Sequence, residues 1–265
     1  MLTTTQALVL REVQYKESDK ILTVLTREAG KVTVKARGCR RKGSRTAAAC
    51  QLLAYSEMTL FEYRDHYTLN EAEPLELFWG VRSDVEKLAL GSYFAEVLEN
   101  LAGEGVADPA LLSLILNSLY ALDKLNKPLG LVKSAFELKL MALSGYEPLL
   151  DACAVCGTPE PEDPRFQLTD GVLHCGRCRP EAGEGASVPL SKGVLSAMRH
   201  VIYGDPKRLF SFALGREELE RMGRICERFL VTQLDRGFRT LDFYKTLAVP
   251  ACPPEGGAER RGQTI

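Results

Sequence analysis

Two Cys-x-x-Cys knuckles, Cys153–Cys156 and Cys175–Cys178, stand eighteen residues apart, and nothing else in the chain limits its folding so sharply. The spacing is that of a zinc ribbon. Each knuckle can turn two thiolates to one side of a tight turn, and a pair of knuckles closes a tetrahedral four-sulfur site. Gly157 and Gly176 beside them permit backbone conformations that other residues resist. Cys153, Cys156, Cys175 and Cys178 are therefore expected to hold one structural Zn²⁺ per chain. Four sulfurs leave the metal no open position, which zinc catalysis requires, so the site speaks of architecture rather than activity. The competing readings are a redox dithiol pair, His174 in place of one cysteine ligand, and two disulfides. Disulfides suit a small secreted domain, whereas this chain carries four further scattered cysteines, at 39, 50, 226 and 252.

The start of the chain, Met1-Leu-Thr-Thr-Thr-Gln6, has neither the positive charge nor the apolar stretch of an export signal. No apolar run approaches the ~20 residues that span a bilayer. A cytoplasmic protein without a membrane partner is the expectation. The net charge of −1 conceals an uneven distribution. Seven cations (Lys31, Lys35, Arg37, Arg40, Arg41, Lys42 and Arg45) fall in one segment, and no Asp or Glu occurs between Glu28 and Glu57. Such a segment presents a local field that attracts a polyanion even on a neutral protein.

The first eighty or so residues read as β. Val32, Val34 and Ala36 alternate with Thr33, Lys35 and Arg37, so period two turns Lys35 and Arg37 away from the core. Five strands with a cationic loop at 40–49 fit a small closed barrel of the OB type. Helical periodicity follows over Val81–Leu101, Leu111–Leu125, Leu131–Ser144, Ser191–Ile202 and Arg216–Leu234. Asp108-Pro109 forms a helix start, and Arg165–Leu173 a short hairpin turning at Asp170-Gly171. The expected fold class is thus α+β and multidomain. An OB-fold barrel at 1–79 precedes an α-helical domain at 80–247 with the zinc ribbon embedded at about 150–180. A Pro/Gly-rich tail at 248–265 is expected to be disordered.

Enzyme signatures are missing. Gly30-Lys31 and Lys192-Gly193 lack the phosphate-loop frame, and none of His66, His174 or His200 begins the His-x-Glu of a zinc deaminase. Lys35, Arg37, Arg40, Arg41, Lys42 and Arg45 suit phosphate contacts on a nucleic-acid backbone. Tyr15, Tyr55, Phe61, Tyr63 and Tyr67 could stack on bases, although their spacing fits core and cross-strand packing equally well. Arg221, Arg224 and Arg228 form a second basic stripe, which reads as a solvated face paired with Glu217, Glu220 and Glu227.

The order of these parts resembles the bacterial recombination mediator and DNA repair family RecO. The resemblance rests on Tyr15-Lys-Glu-Ser-Asp19, Ile21-Leu-Thr-Val-Leu-Thr26, Gly30 and the segment from Val34 to Arg45. It extends through Gly145-Tyr-Glu-Pro-Leu-Leu-Asp-Ala-Cys-Ala-Val-Cys156 and Leu234-Asp-Arg-Gly-Phe-Arg-Thr-Leu241, covering about residues 1–247. It implies a non-enzymatic protein that binds single- and double-stranded DNA and anneals complementary strands. It also implies engagement of the tail of single-strand-binding protein through the helical region, work with RecR, and an indirect part in loading RecA. By this match the six cations from Lys35 to Arg45 are the DNA-contact residues. The alternative is a zinc-containing adaptor that grips protein partners without touching DNA; a zinc-dependent nucleic-acid hydrolase would need a water-bound metal.

Overall fold

The computed structural model describes residues 1–64, 66–178 and 186–248. Strand β1 (Leu2–Tyr15) is long enough to pair twice, with β2 (Asp19–Thr26) and with β4 (Tyr55–Tyr63). A bulge between Val9 and Arg11 re-aims it between the two partners. Strand β3 (Gly30–Ala36) lies antiparallel to β2, and β5 (His66–Glu76) lies antiparallel to β4. Parallel pairing of β3 with β5, through Val34↔Tyr67 and Lys35↔Thr68, closes the barrel in the order β1-β2-β3-β5-β4. This is the OB-type barrel the sequence predicts. Val34, Ala36, Leu22, Val24, Met58 and Leu60 fill its interior.

The run Ala7-Leu8-Val9-Leu10 has no polar face because β1 is buried on both sides. Ala7 and Val9 point into the barrel, while Leu8 and Leu10 join the helical core. Gly30 completes that junction. Its φ is +60°, and a Cβ there would stand 2.0 Å from the Val106 carbonyl oxygen, so only glycine permits the approach. Arg82 bridges the same two parts, donating to Leu77 O, Leu52 O and, at 3.2 Å, Gln51 Oε1.

The first helical stretch is broken into α1 (Trp79–Arg82) and α2 (Val85–Leu101), not continuous from Val81 as its periodicity suggests. The Asp84 carboxylate accepts from the N–H groups of Glu86 and Lys87 and starts a new helix there. Helix α3 (Pro109–Lys124) begins at Asp108-Pro109, and α4 (Leu129–Leu143) follows. Helix α5 (Lys192–Tyr203) is capped by Ser191, and α6 (Arg216–Leu234) has the bounds its pattern gives. Helix α7 (Arg239–Ala248) was not legible; it packs against α2. The cysteine module carries a small sheet, β7-β6-β8, of Arg165–Gln167 (β6), Val172–His174 (β7) and Ser187–Pro189 (β8). Residues 249–265, the expected disordered tail, lie outside the described residues.

Helix α4 runs through the centre of the helical domain, and its buried residues include two charges. Lys133 Nζ lies 2.8 Å from Glu137 Oε1 and 2.9 Å from Glu227 Oε2, and Tyr93 donates its hydroxyl to Glu137 at 2.7 Å. Burial works against the Lys133 charge, but the two carboxylates more than reverse this and hold it above ordinary lysine. Burial leaves Glu137 above the usual carboxylate range despite Lys133. Glu227, expected to serve the α6 arginine stripe, is instead spent on Lys133 and Lys245. Arg221 does pair with Glu217, at 3.7 Å. Among the described residues, no helix is long and apolar enough to cross a membrane.

Candidate nucleic-acid interface and metal centre

The pleat turns Lys35 outward, as its alternation with Val34 and Ala36 requires, whereas Arg37, expected on the same strand, stands exposed in the turn that follows β3. Both line a groove of about 750 Å³ between the barrel and the helical domain, together with Lys31, Arg11, His66 and the carboxylates of Glu99 and Glu104. Lys31 is not disposed like the other two. Its Nζ donates to Glu99 O at 2.7 Å, and its backbone bonds to Gly103 and Gly105, so it ties the domains together. Arg11 was missed in the sequence. It interrupts the apolar run at the β1 bulge, faces the groove and pairs with Glu99 at 3.1 Å.

The basic loop leaves β3 through a fixed corner. The Asp19 carboxylate accepts from Gly38 N at 2.8 Å, a bond that holds this acid below the usual carboxylate range. Arg40 is part of the same anchor, with its N–H on Ser18 O and its guanidinium on Glu17 O at 3.2 Å. Arg41 and Lys42 stand exposed at the turn. Arg45 is set apart from them. It shares a separate depression with Glu57, Glu71 and Glu73 of β4 and β5. The six cations therefore do not form one patch: Arg37, Arg41 and Lys42 are exposed with no side-chain bond to the fold among the described residues, Lys35 is half-buried with its ammonium over the Tyr15 ring, Arg40 braces the loop, and Arg45 shares its depression with carboxylates.

The knuckles bring Cys153, Cys156, Cys175 and Cys178 together with all four sulfurs within 4.8 Å of one another, a group that could hold a metal ion. Zinc–sulfur bonds of about 2.3 Å in a tetrahedron place sulfurs about 3.8 Å apart. Cys156 Sγ and Cys175 Sγ are 3.8 Å apart. In the first knuckle Gly157 adopts a φ of +69° and donates to Cys153 O at 2.9 Å. Gly176 does not use a left-handed backbone; a Cβ there would meet the Asp163 side chain at 3.1 Å, so its role is close approach. His174 stands outside the sulfur group, its Nδ1 3.1 Å from Cys178 O.

The sulfurs are unequal. Hydrogen bonds from Thr158 bring the Cys156 thiol down to about 6, and the neighbouring Cys175 and Cys156 sulfurs push Cys178 up to about 12. Thiolates this close repel one another, a conflict that a divalent cation would remove. The module is firmly seated. Arg199 Nε donates to Leu150 O at 2.7 Å, its Nη2 to Asp151 O at 3.0 Å, and Phe166 packs edge-on to Phe229 of α6 at 5.1 Å.

With barrel, helices and cysteine module in place, the similarities to known proteins are specific. A family model described as Recombination protein O N terminal matches residues 1–78, and one described as Recombination protein O C terminal matches residues 82–242. The chain belongs to the RecO family. It is 33% identical over 244 residues to the DNA repair protein RecO of Acetivibrio thermocellus, covering 92% of this chain and 96% of that one. The protein of the same name from Symbiobacterium thermophilum is 33% identical over 243 residues, covering 91% and 95%. That from Rubrobacter xylanophilus is 36% identical over 197 residues, covering 74% and 79%. The chain is a RecO-family DNA repair protein with an OB-like barrel and a four-cysteine group able to take a metal.

Proposed function

We propose that this protein is a non-enzymatic mediator of recombinational DNA repair. It binds single- and double-stranded DNA and anneals complementary strands. With RecR it helps load RecA onto strands coated by single-strand-binding protein, whose tail it engages. The observation that carries this reading is the outward cationic set Lys35, Arg37, Arg41 and Lys42 on an OB-like barrel of a RecO-family chain. Lysine and arginine on such a surface neutralise strand backbones and release condensed counterions. With their mutual repulsion screened, two strands can bring complementary bases together. Residues 1–79 act as the DNA-binding barrel, and residues 80–247 as the partner-binding body. Arg40 contributes by shaping the loop, and Arg45 contributes little.

Zinc is the metal that four thiolates on two knuckles select, and one Zn²⁺ per chain at Cys153, Cys156, Cys175 and Cys178 fits the sulfur spacing. Its role is to hold the module against α5 and α6, because binding free energy at such a site is folding free energy. The protein would work in the cytoplasm at the nucleoid. The test is annealing of complementary oligonucleotides, bare and coated with single-strand-binding protein, without nucleotide. Annealing without ATP, retained on coated strands, is the expected result. Failure to bind a plain oligonucleotide in a salt-sensitive way would leave a protein adaptor instead.

A further inference from the structure

The outer face of the barrel carries aromatic side chains that its packing does not use. Strand β4 buries Ser56, Met58 and Leu60, so period two turns Phe61 and Tyr63 outward. They remain 46% and 58% exposed. The register places them beside the cations. Ile21 pairs with Lys35, Lys35 with Thr68, and Thr68 with Phe61, so these four side chains form one outward row across β2, β3, β5 and β4. Tyr63 pairs with His66 at the adjoining end of β4. Adjacent strands lie about 4.8 Å apart, which sets Lys35 and Phe61, two strands distant, about 10 Å from each other. Thr68 and His66, between them, also line the groove that holds Lys35 and Arg37.

We propose that Phe61 and Tyr63 are a base-stacking platform, on which unpaired bases lie while their phosphates follow Lys35 and Arg37. This deepens the DNA-binding reading and rests on it. Three features fit the occupant. The aromatic faces lie on the same surface as the cations, so a ligand must offer both anionic and flat apolar parts, as a nucleotide strand does. Arg64 sits 5.1 Å over the Tyr63 ring and brings a further cation to the platform. Tyr15, also exposed near Lys35, carries Lys35 and Lys16 at 5.1 and 5.5 Å from its ring, the same pairing of cation and aromatic face as at Tyr63. Bases within a duplex are stacked on each other and present no face. The barrel therefore prefers single strands, whereas the cations alone do not discriminate.

The test compares Phe61→Ala and Tyr63→Ala with the parent protein, using oligo-dT and a duplex of equal length at fixed salt. Both residues face water, so the barrel core is untouched. Each substitution should weaken oligo-dT binding on the order of tenfold. Duplex affinity and the salt dependence of both ligands should stay unchanged, since no phosphate contact is lost. A second measurement reads the contact directly. The chain has a single tryptophan, Trp79, so Phe61→Trp in a Trp79→Phe background places the only indole at the platform. Oligo-dT should quench it. Parent protein that binds DNA while Phe61→Ala and Tyr63→Ala bind oligo-dT normally, or an indole that oligo-dT leaves unchanged, overturns the platform. Parent protein that binds no DNA in a salt-sensitive way overturns the DNA reading itself.

Discussion

Removing cations one at a time should separate the residues that touch phosphate from those that shape the loop, because each phosphate contact leaves its own mark on salt dependence. For a single strand, log affinity falls against log salt with a slope of about −0.7 for each phosphate neutralised. Arg37, Arg41 and Lys42 are exposed, and none is tied to the fold as Arg40 is to Glu17 O. Replacing all three with alanine should therefore flatten the slope by about 2. Between 50 and 200 mM salt the parent protein should lose about 20-fold more affinity than this triple variant. Arg45→Ala is the internal control. Arg45 lines a depression with Glu57, Glu71 and Glu73, whose negative charge repels phosphate there, so its loss should move the slope less than the loss of Arg37. Fluorescence anisotropy of a labelled oligo-dT at four salt concentrations measures both. An unchanged slope in the triple variant, or an Arg45→Ala effect equal to that of Arg37→Ala, would refute the assignment.

Two further outcomes test the structural side. Metal analysis should find about one zinc per chain, and a strong chelator or Cys153→Ser should lower the thermal midpoint with DNA binding lost only as the fold is lost; a metal-free protein of full stability would contradict this. Lys133→Met should cost about 3–5 kcal/mol at pH 7, because it strands Glu137, which is 0% exposed, while a Lys133→Met/Glu137→Leu pair should recover most of that. Without Lys133 the Glu137 carboxyl rises further, and a carboxyl raised in the folded state contributes most stability when protonated. The deficit of Lys133→Met should therefore shrink as pH falls from 7 to 5; a deficit that grows with acid would show that Glu137 is not the stranded charge.

Local rules reached far in this chain. Alternation at 32–36 fixed which side of β3 faces water, Asp108-Pro109 set a helix start, and the knuckle spacing brought four sulfurs together. Each depends on neighbours in sequence, where period and turn chemistry operate. Helix α7 and strand β8 escaped because both are short and take their stability from what they pack or pair with, α2 and β6 respectively. Phe61 and Tyr63 were ambiguous, since aromatic residues in a strand pattern look the same whether they face core or water.

What only the tertiary structure decided is how the basic segment is divided. Along the chain no carboxylate interrupts it, yet Glu71 and Glu73 return on β5 to stand beside Arg45, and Glu99 crosses from α2 to Arg11. Charge order along a sequence carries no information about which strands the barrel will place side by side. The cysteine pattern is different in kind: its four sulfurs are near enough in sequence for the spacing alone to bring them together. The four-cysteine group was therefore legible from the residues, whereas only the closed barrel shows which cations of the basic segment share their surface with carboxylates.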